Sequence, residues 1–459
     1  MAGRVLESVD PTSGVRTRVW PELDGNELER RVSTAHAEAA HWARTSLGER
    51  ADRLRDAARL FGERAEVLAW LMAEEMGKPL AQGRAEAQKC ALACEFYAEH
   101  APAMLADEPA RPMRPRAREF VSFRPLGVVL AIMPWNFPLW QVARCAAPTL
   151  MAGNALLLKH AENVQGCAEA LETLFRDAGL PRGLFTNLAL AVERVPALIH
   201  DRRIAAVTLT GSTQAGRAVA ACAGAALKKC VLELGGSDPY LVLADADLEL
   251  AASTCAAARL INAGQSCIAA KRFVVLESVR AEFTERLMLE MRARSVGDPR
   301  TAVDLGPLAR ADLRDTLHVQ VRKSVERGAR LLLGGEPPQA PGFFYPPSVL
   351  ADVAAGQPAY EEELFGPVAA ILGARDEAHA LALANDTSYG LGAAVFTRDV
   401  ERGLRLAREE LQAGSVFVND FVRSDPRLPF GGIKDSGFGR ELASFGLREF
   451  VNVKTVVAG

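Results

Sequence analysis

Cysteine is scarce and unpatterned in this sequence: eight residues in 459, with no CxxC pair and no regular spacing. That excludes a disulfide framework, indicates no zinc or other metal site, and fits a reducing compartment. Long hydrophobic runs are lacking too, since no stretch reaches the about 18 consecutive apolar residues of a membrane span. The opening MAGRVLESVDPTSG has neither the basic nor the apolar region of a secretory signal, so a cytoplasmic location is expected. There is no excess of one charge sign. The 54 basic and 57 acidic residues leave a net charge of -3, which argues against nucleic acid or an anionic membrane as main partner. The one basic run, RPMRPRAR at Arg111 to Arg118, reads as a solvated linker. No fixed-period repeat or low-complexity segment occurs, so solenoids and arrays are set aside.

What is present is the composition of a globular protein, 49% apolar and 24% charged. The length suggests about three domains or fewer. From Glu27 to Met104 apolar residues recur at helical spacing, as at Leu54, Ala58, Phe61, Ala65 and Leu68. The SLGE of Ser46 to Glu49 predicts a capping box opening that helix. From Gly127 onward short β-rich runs alternate with amphipathic stretches: GVVLAIM, ALLLK, AAVTLT and CVLEL, then RFVVLE, PVAAIL, GAAVFT and SVFVN. Such alternation predicts an α/β fold of parallel sheets covered by helices. The ELGGSDP segment, Glu233 to Pro239, reads as a seam between two α/β halves.

Four segments carry potential chemistry. In LINAGQSCIAAKRF, Cys267 sits in a small polar turn rather than among the apolar neighbours of a structural cysteine. It reads either as a nucleophile, active as thiolate, or as an inert thiol at a helix end. Asn136, between two aromatics in PWNFP, is placed to donate to an oxyanion or to serve the turn itself. Glu233 ends a strand before Gly235 and Gly236; partial burial there would make it a general base, exposure a bland strand end. TLTGSTQAGRAV, Thr208 to Val219, runs strand, turn, helix, and offers free backbone N–H groups to a phosphate, a weak signal alone.

Taken together and in order, PWNFP (134–138), LTGS (209–212), LELGG (232–236), GQSC (264–267), EELFGP (362–367) and PFGGIKDSGFGRE (429–441) resemble the signature set of the NAD(P)-dependent aldehyde dehydrogenases. The 34-residue separation of Glu233 from Cys267 resembles that family's spacing of base and nucleophile. The resemblance implies an aldehyde-dehydrogenase-like fold. A Rossmann-like cofactor domain would span 1–234, with oligomerisation strands near 118–127, and a catalytic domain 235–430. Residues 431–459 would return to the cofactor domain and end in a C-terminal oligomerisation strand. REFVSFRPLG and FVNVKTVVAG would combine in a β element joining a homodimer or homotetramer.

The resemblance also implies roles. Cys267 attacks the aldehyde, Asn136 and the Cys267 N–H hold the oxyanion, and Glu233 activates the water that hydrolyses the thioester. On the cofactor side it implicates Trp135, Lys159, Glu162, Gly211, Ser212, Glu363 and Phe365. Glu162 would accept the ribose hydroxyls and repel a 2′-phosphate, so NAD is expected to be preferred, with NADP still accommodated by Lys159. His160 reads as a spectator. With Ala269 two residues past the nucleophile, a neighbouring-cysteine disulfide switch is unavailable.

PWNFPLWQVAR, KHAEN, AALKKCVLELGGSDP and GFGRELASFGL resemble the succinate-semialdehyde dehydrogenase branch in particular. There Arg144 and Ser424 match positions that bind the substrate carboxylate. Arg144 also has a plainer reading, an ion pair with an acidic residue. One departure is Ile261, where some members of the branch carry a second arginine. The alternatives are a broad-range dehydrogenase for uncharged or other aldehydes and, from another class, a non-catalytic binding protein on the same fold.

Overall fold

The computed structural model describes residues 4–111 and 118–458. Of the basic RPMRPRAR run, residues 112–117 lie outside the described residues.

Two sheets dominate. Every β-rich run read from the sequence after Gly127 is a strand of one or the other. The first sheet has six strands in the order Gly437–Phe438, Lys229–Glu233, Ile204–Thr210, Val128–Met133, Ala155–His160, Phe185–Asn187. All pair in parallel except Gly437–Phe438, which is antiparallel to the strand ending in Glu233. Its central strands are buried on both faces, as the unbroken runs VVLAIM and ALLLKH require. Strand order reverses between Val128–Met133 and Ile204–Thr210. Just past the carboxyl ends of these two strands stand Pro134 to Asn136 and Gly211 to Ser212, at the switch point where α/β sheets open a ligand crevice.

The second sheet has seven strands, with Pro239–Val242 between Arg272–Leu276 and Gly392–Phe396. The chain leaves the first sheet at Glu233 and enters the second at Pro239, the segment read as a seam. Each sheet centres its own apolar core, and the helices of the first hundred residues pack into the core of the first.

The helical region differs in two ways from the sequence reading. It is preceded by an unforeseen hairpin, Val5–Asp10 against Val15–Pro21, whose alternating buried residues are a strand signal. The stretch from Leu54 to Leu68 is also not one helix. Leu47–Glu63 ends at Arg64, just after Gly62, and Ala65–Met76 starts anew. Ser46 does cap the first, its hydroxyl accepting from the Glu49 N–H at 3.1 Å.

REFVSFRP and the C-terminal run pair with each other: Arg118–Pro125 lies antiparallel to Val451–Ala458 over eight residues. The outer edge of Val451–Ala458 is unpaired among the described residues, and Val453 and Val457 are exposed.

Candidate active site

The nucleophile turn is built by an unusual backbone. Asn262, Ala263 and Gly264 adopt successive left-handed conformations, with φ of 52°, 53° and 74°. Such a run is costly for residues with a Cβ and is held only where its surroundings dictate it. At Gly264 a Cβ would collide with the Gly366 carbonyl, so glycine is required there. Lys271 fastens the other side: its buried ammonium donates to the carbonyls of Ser266, Cys267 and Ala269 at 3.0, 2.9 and 3.2 Å. Cys267 is thereby presented half-buried at the meeting point of two cavities, one of about 360 Å³ and one of about 200 Å³.

The larger cavity is the crevice at the switch point, lined by Trp135, Asn136, Gly211, Ser212, Glu363 and Phe365 along with Cys267. Trp135 and Phe365 meet edge to face, centroids 5.8 Å apart. Glu363 is held by the Gly236 N–H at 3.0 Å and by Lys271 at 3.5 Å. Ser212 caps the helix Thr213–Ala225, whose first turn supplies the backbone donors expected of TLTGSTQAG. Lys159 and Glu162 lie at the end of the Ala155–His160 strand and just beyond it. The Lys159 ammonium is buried and has no carboxylate within ion-pair distance among the described residues. Lys159 and Glu162 stand at the end of the strand next to Val128–Met133, outside the lining of the crevice itself. Glu162 already has a cation beside it, Arg4 at 3.3 Å.

Asn136 is buried, and its Nδ2 donates to the Gln265 carbonyl at 3.1 Å while Oδ1 has no partner. Asn136 lines the crevice together with Cys267, and its amide nitrogen carries a second hydrogen beyond the one given to Gln265. The loop is pinned from behind. Lys78 and Asn262 donate to the Asn136 carbonyl at 3.0 and 2.7 Å. Glu86 pairs with Lys78 and accepts the Leu139 and Trp140 N–H groups, both at 2.9 Å, at the start of the next helix. His160, fully buried and lowered to about 4 by desolvation, braces the same loop through the Pro138 carbonyl at 2.9 Å.

Glu233 is buried with neither carboxylate oxygen hydrogen-bonded, and burial raises its pKa well above the usual range, opposed by Arg144. It stands behind the cavities, with Oε1 against Gly431, and lines neither of them. Desolvation pushes the Cys267 thiol up to about 12, against the pull of Arg144 and Lys271. The resting residue is therefore a thiol, and attack requires that its proton be taken.

The smaller cavity is mainly apolar, with Phe137, Trp140, Ile261, Ile268 and Phe430 in its wall beside Arg144, Ser424 and Lys89. Arg144 is in the wall but already engaged. Its guanidinium forms a buried ion pair with Glu441, donates to Thr210 Oγ1 at 3.3 Å and lies 4.9 Å from the Phe430 ring centroid. Of its two sequence readings, the ion pair is the contact present. Arg423, adjacent to Ser424, is paired with Asp420 at 2.7 Å. Lys78, Glu86, Lys89, Lys271 and Glu441 went unassigned from sequence; only Lys271, before the run RFVVL, interrupts an apolar segment, and the others carry no local signal.

An aldehyde dehydrogenase family model matches residues 1–456. A succinate semialdehyde dehydrogenase [NAD(P)+] of Escherichia coli is 51% identical over 450 residues, covering 98% of this chain and 97% of that one. A probable succinate-semialdehyde dehydrogenase [NADP(+)] of Synechocystis is 45% identical, covering 98% and 99%. Among solved structures, the succinic semialdehyde dehydrogenase of Streptococcus pyogenes in complex with NADP+ superposes with a TM-score of 0.95 at 34% identity, covering 98% and 99%. Motif order, crevice and cysteine turn agree with these likenesses over the whole length, and the chain belongs to the aldehyde dehydrogenase family.

Proposed function

We propose that this enzyme oxidises succinate semialdehyde to succinate, with NAD as preferred cofactor and NADP also accepted. The observation that carries the reading is the position of Cys267, where the switch-point crevice meets a small apolar cavity edged by cations and a hydroxyl. Oxidation of an aldehyde by hydride transfer needs such a junction, because one carbon must reach the sulfur and a hydride acceptor in turn.

The Cys267 sulfur adds to the aldehyde carbon, its proton passing to Glu233 and from there to solvent before the hydrolytic half of the reaction begins. Neither Glu233 oxygen is tied to a donor, and burial raises its pKa, which makes the ionised carboxylate a stronger base. The oxyanion of the thiohemiacetal accepts from Asn136 Nδ2 and the Cys267 N–H. Bound NAD(P)+ supplies the hydride acceptor. Trp135, Phe365 and Glu363 would hold its nicotinamide riboside, Gly211 and Ser212 its pyrophosphate, Lys159 and Glu162 its adenosine ribose. Collapse of the oxyanion leaves a thioester on Cys267, and water deprotonated by Glu233 hydrolyses it to the carboxylate.

Residues 1–234 serve as the cofactor unit, 235–430 as the catalytic unit, and 431–459 return to the first. Homodimer or homotetramer formation through the exposed Val451–Ala458 edge is supported by its unpaired backbone groups. A cytoplasmic setting is supported by the eight free cysteines.

The test is reduced-cofactor formation with succinate semialdehyde against butanal, each with NAD and with NADP. A kcat/KM at least tenfold higher for the semialdehyde supports the reading. Equal values make the enzyme a broad-range aldehyde dehydrogenase.

A further inference from the structure

The charge of Arg144 is already matched by Glu441, so the carboxylate of the proposed substrate is better met by a cation with no acid beside it. Three cations edge the cavity of about 200 Å³ that leads to Cys267: Lys89, Arg144 and Arg423. Arg144 is matched by Glu441 and Arg423 by Asp420. The acid in the wall, Glu86, is matched by Lys78 and by two backbone N–H groups. Asp425, next in sequence to Ser424, is taken by Arg427 at 2.7 Å. Lys89 alone of the three has no carboxylate within ion-pair distance among the described residues. Its ammonium donates to Ser424 Oγ at 2.8 Å and lies 4.3 Å from the centroid of the Trp140 ring.

The hydroxyl beside it is poised in a complementary way. Ser424 Oγ accepts from both Lys89 Nζ and Trp140 Nε1, the latter at 3.1 Å. A hydroxyl with both lone pairs occupied has only its own hydrogen left to offer. The cavity therefore ends in an ammonium with donors to spare and an O–H that must donate, and it presents no unmatched acid.

Resting on the succinate-semialdehyde reading, we propose that Lys89, with Ser424, is the specificity-determining cation that binds the carboxylate of the aldehyde substrate, Arg144 being reserved for the buried pair with Glu441. The site selects a short aliphatic aldehyde ending in a carboxylate. Burial, reinforced by Arg144, lowers the Lys89 ammonium to about 8, opposed by Glu86 and Asp425. An arriving carboxylate supplies the compensation this ammonium lacks. Lys89 is charged below that range and neutral above it, so selectivity for the anion falls as pH rises through about 8.

The experiment compares the wild-type enzyme with Lys89→Met and Lys89→Arg, reading kcat and KM for succinate semialdehyde and for butanal from pH 6.5 to 9.5. Loss of a charge-assisted contact predicts that Lys89→Met lowers the semialdehyde-to-butanal ratio of kcat/KM at least about tenfold, chiefly through KM. Lys89→Arg is expected to restore most of the ratio and abolish its decline above about pH 8, because a guanidinium stays charged. Titration of Cys267 and Glu233 acts on both aldehydes and cancels in the ratio. A wild-type enzyme that prefers the semialdehyde while Lys89→Met keeps that preference overturns the Lys89 assignment and leaves the substrate reading standing. A wild-type enzyme without the preference overturns both.

Discussion

Arg144, in the wall of the cavity that opens onto Cys267, forms a buried ion pair with Glu441, the side chains 2% and 4% exposed. Removing one member of such a pair leaves an uncompensated buried charge, a loss of about 3–5 kcal/mol, whereas replacing both with apolar groups is often neutral. Glu441→Gln and Arg144→Leu are each expected to lower the thermal midpoint by several degrees, and Arg144→Leu/Glu441→Leu to recover part of it. Arg144→Leu is further expected to impair succinate semialdehyde and butanal alike, because Glu441 and Glu233 would then face each other unscreened. A selective rise in KM for the anionic aldehyde alone would return the carboxylate to Arg144.

The two chemical halves of the reaction separate at Glu233. Cys267→Ala is expected to abolish oxidation. Glu233→Gln is expected to release about one equivalent of reduced cofactor rapidly and then turn over slowly, the signature of an acyl-enzyme that forms but is not hydrolysed. Rapid-mixing absorbance with mass detection of the acylated cysteine reads both. Normal turnover of the glutamine variant removes Glu233 as the base.

In the wild-type enzyme the raised pKa of Glu233 has a definite sign for activity. The acid form is extended to higher pH by burial, so steady-state kcat is expected to climb as pH rises through the shifted value. A kcat that did not rise with pH would mean that hydrolysis does not await this carboxylate.

Asn136 is held by its own backbone carbonyl as well as by its side chain, so Asn136→Ala keeps the Lys78 and Asn262 contacts to that carbonyl. The expected result is a folded enzyme with kcat reduced about 100- to 1000-fold, the usual loss of an oxyanion donor. A change below tenfold would assign the amide to the turn alone.

Cofactor choice is expected to turn on Glu162. Glu162→Ser, which removes the carboxylate that a 2′-phosphate must face, should raise the NADP-to-NAD ratio of kcat/KM at least tenfold. Arg4→Ala should lower that ratio, since Arg4 offsets the Glu162 charge in the native chain. Ratios unchanged in both variants would move the discrimination elsewhere.

Local patterning determined much of this protein. The buried runs VVLAIM, ALLLKH and IAAVTLT are strands because apolar β-branched and aliphatic runs bounded by turns have few other ways to be buried. The seam from Glu233 to Pro239 and the polar turn around Cys267 were visible for the same reason, since glycine and polar residues interrupt those runs. The opening hairpin was less apparent, its alternation being short and mixed with charge.

What the tertiary structure alone decided is which charges face each other. Arg144 and Glu441 are nearly three hundred positions apart, Lys89 and Ser424 more than three hundred, and no local rule joins them. An arginine in an apolar helix announces that it needs a partner, without saying whether the partner is a substrate or another side chain. Burial settles it for Arg144: desolvation makes an unpaired buried charge costly, so the folded chain matches it with Glu441, while the exposed Arg423 pairs with Asp420 beside it. Lys89 is left facing the cavity with a hydroxyl at its side.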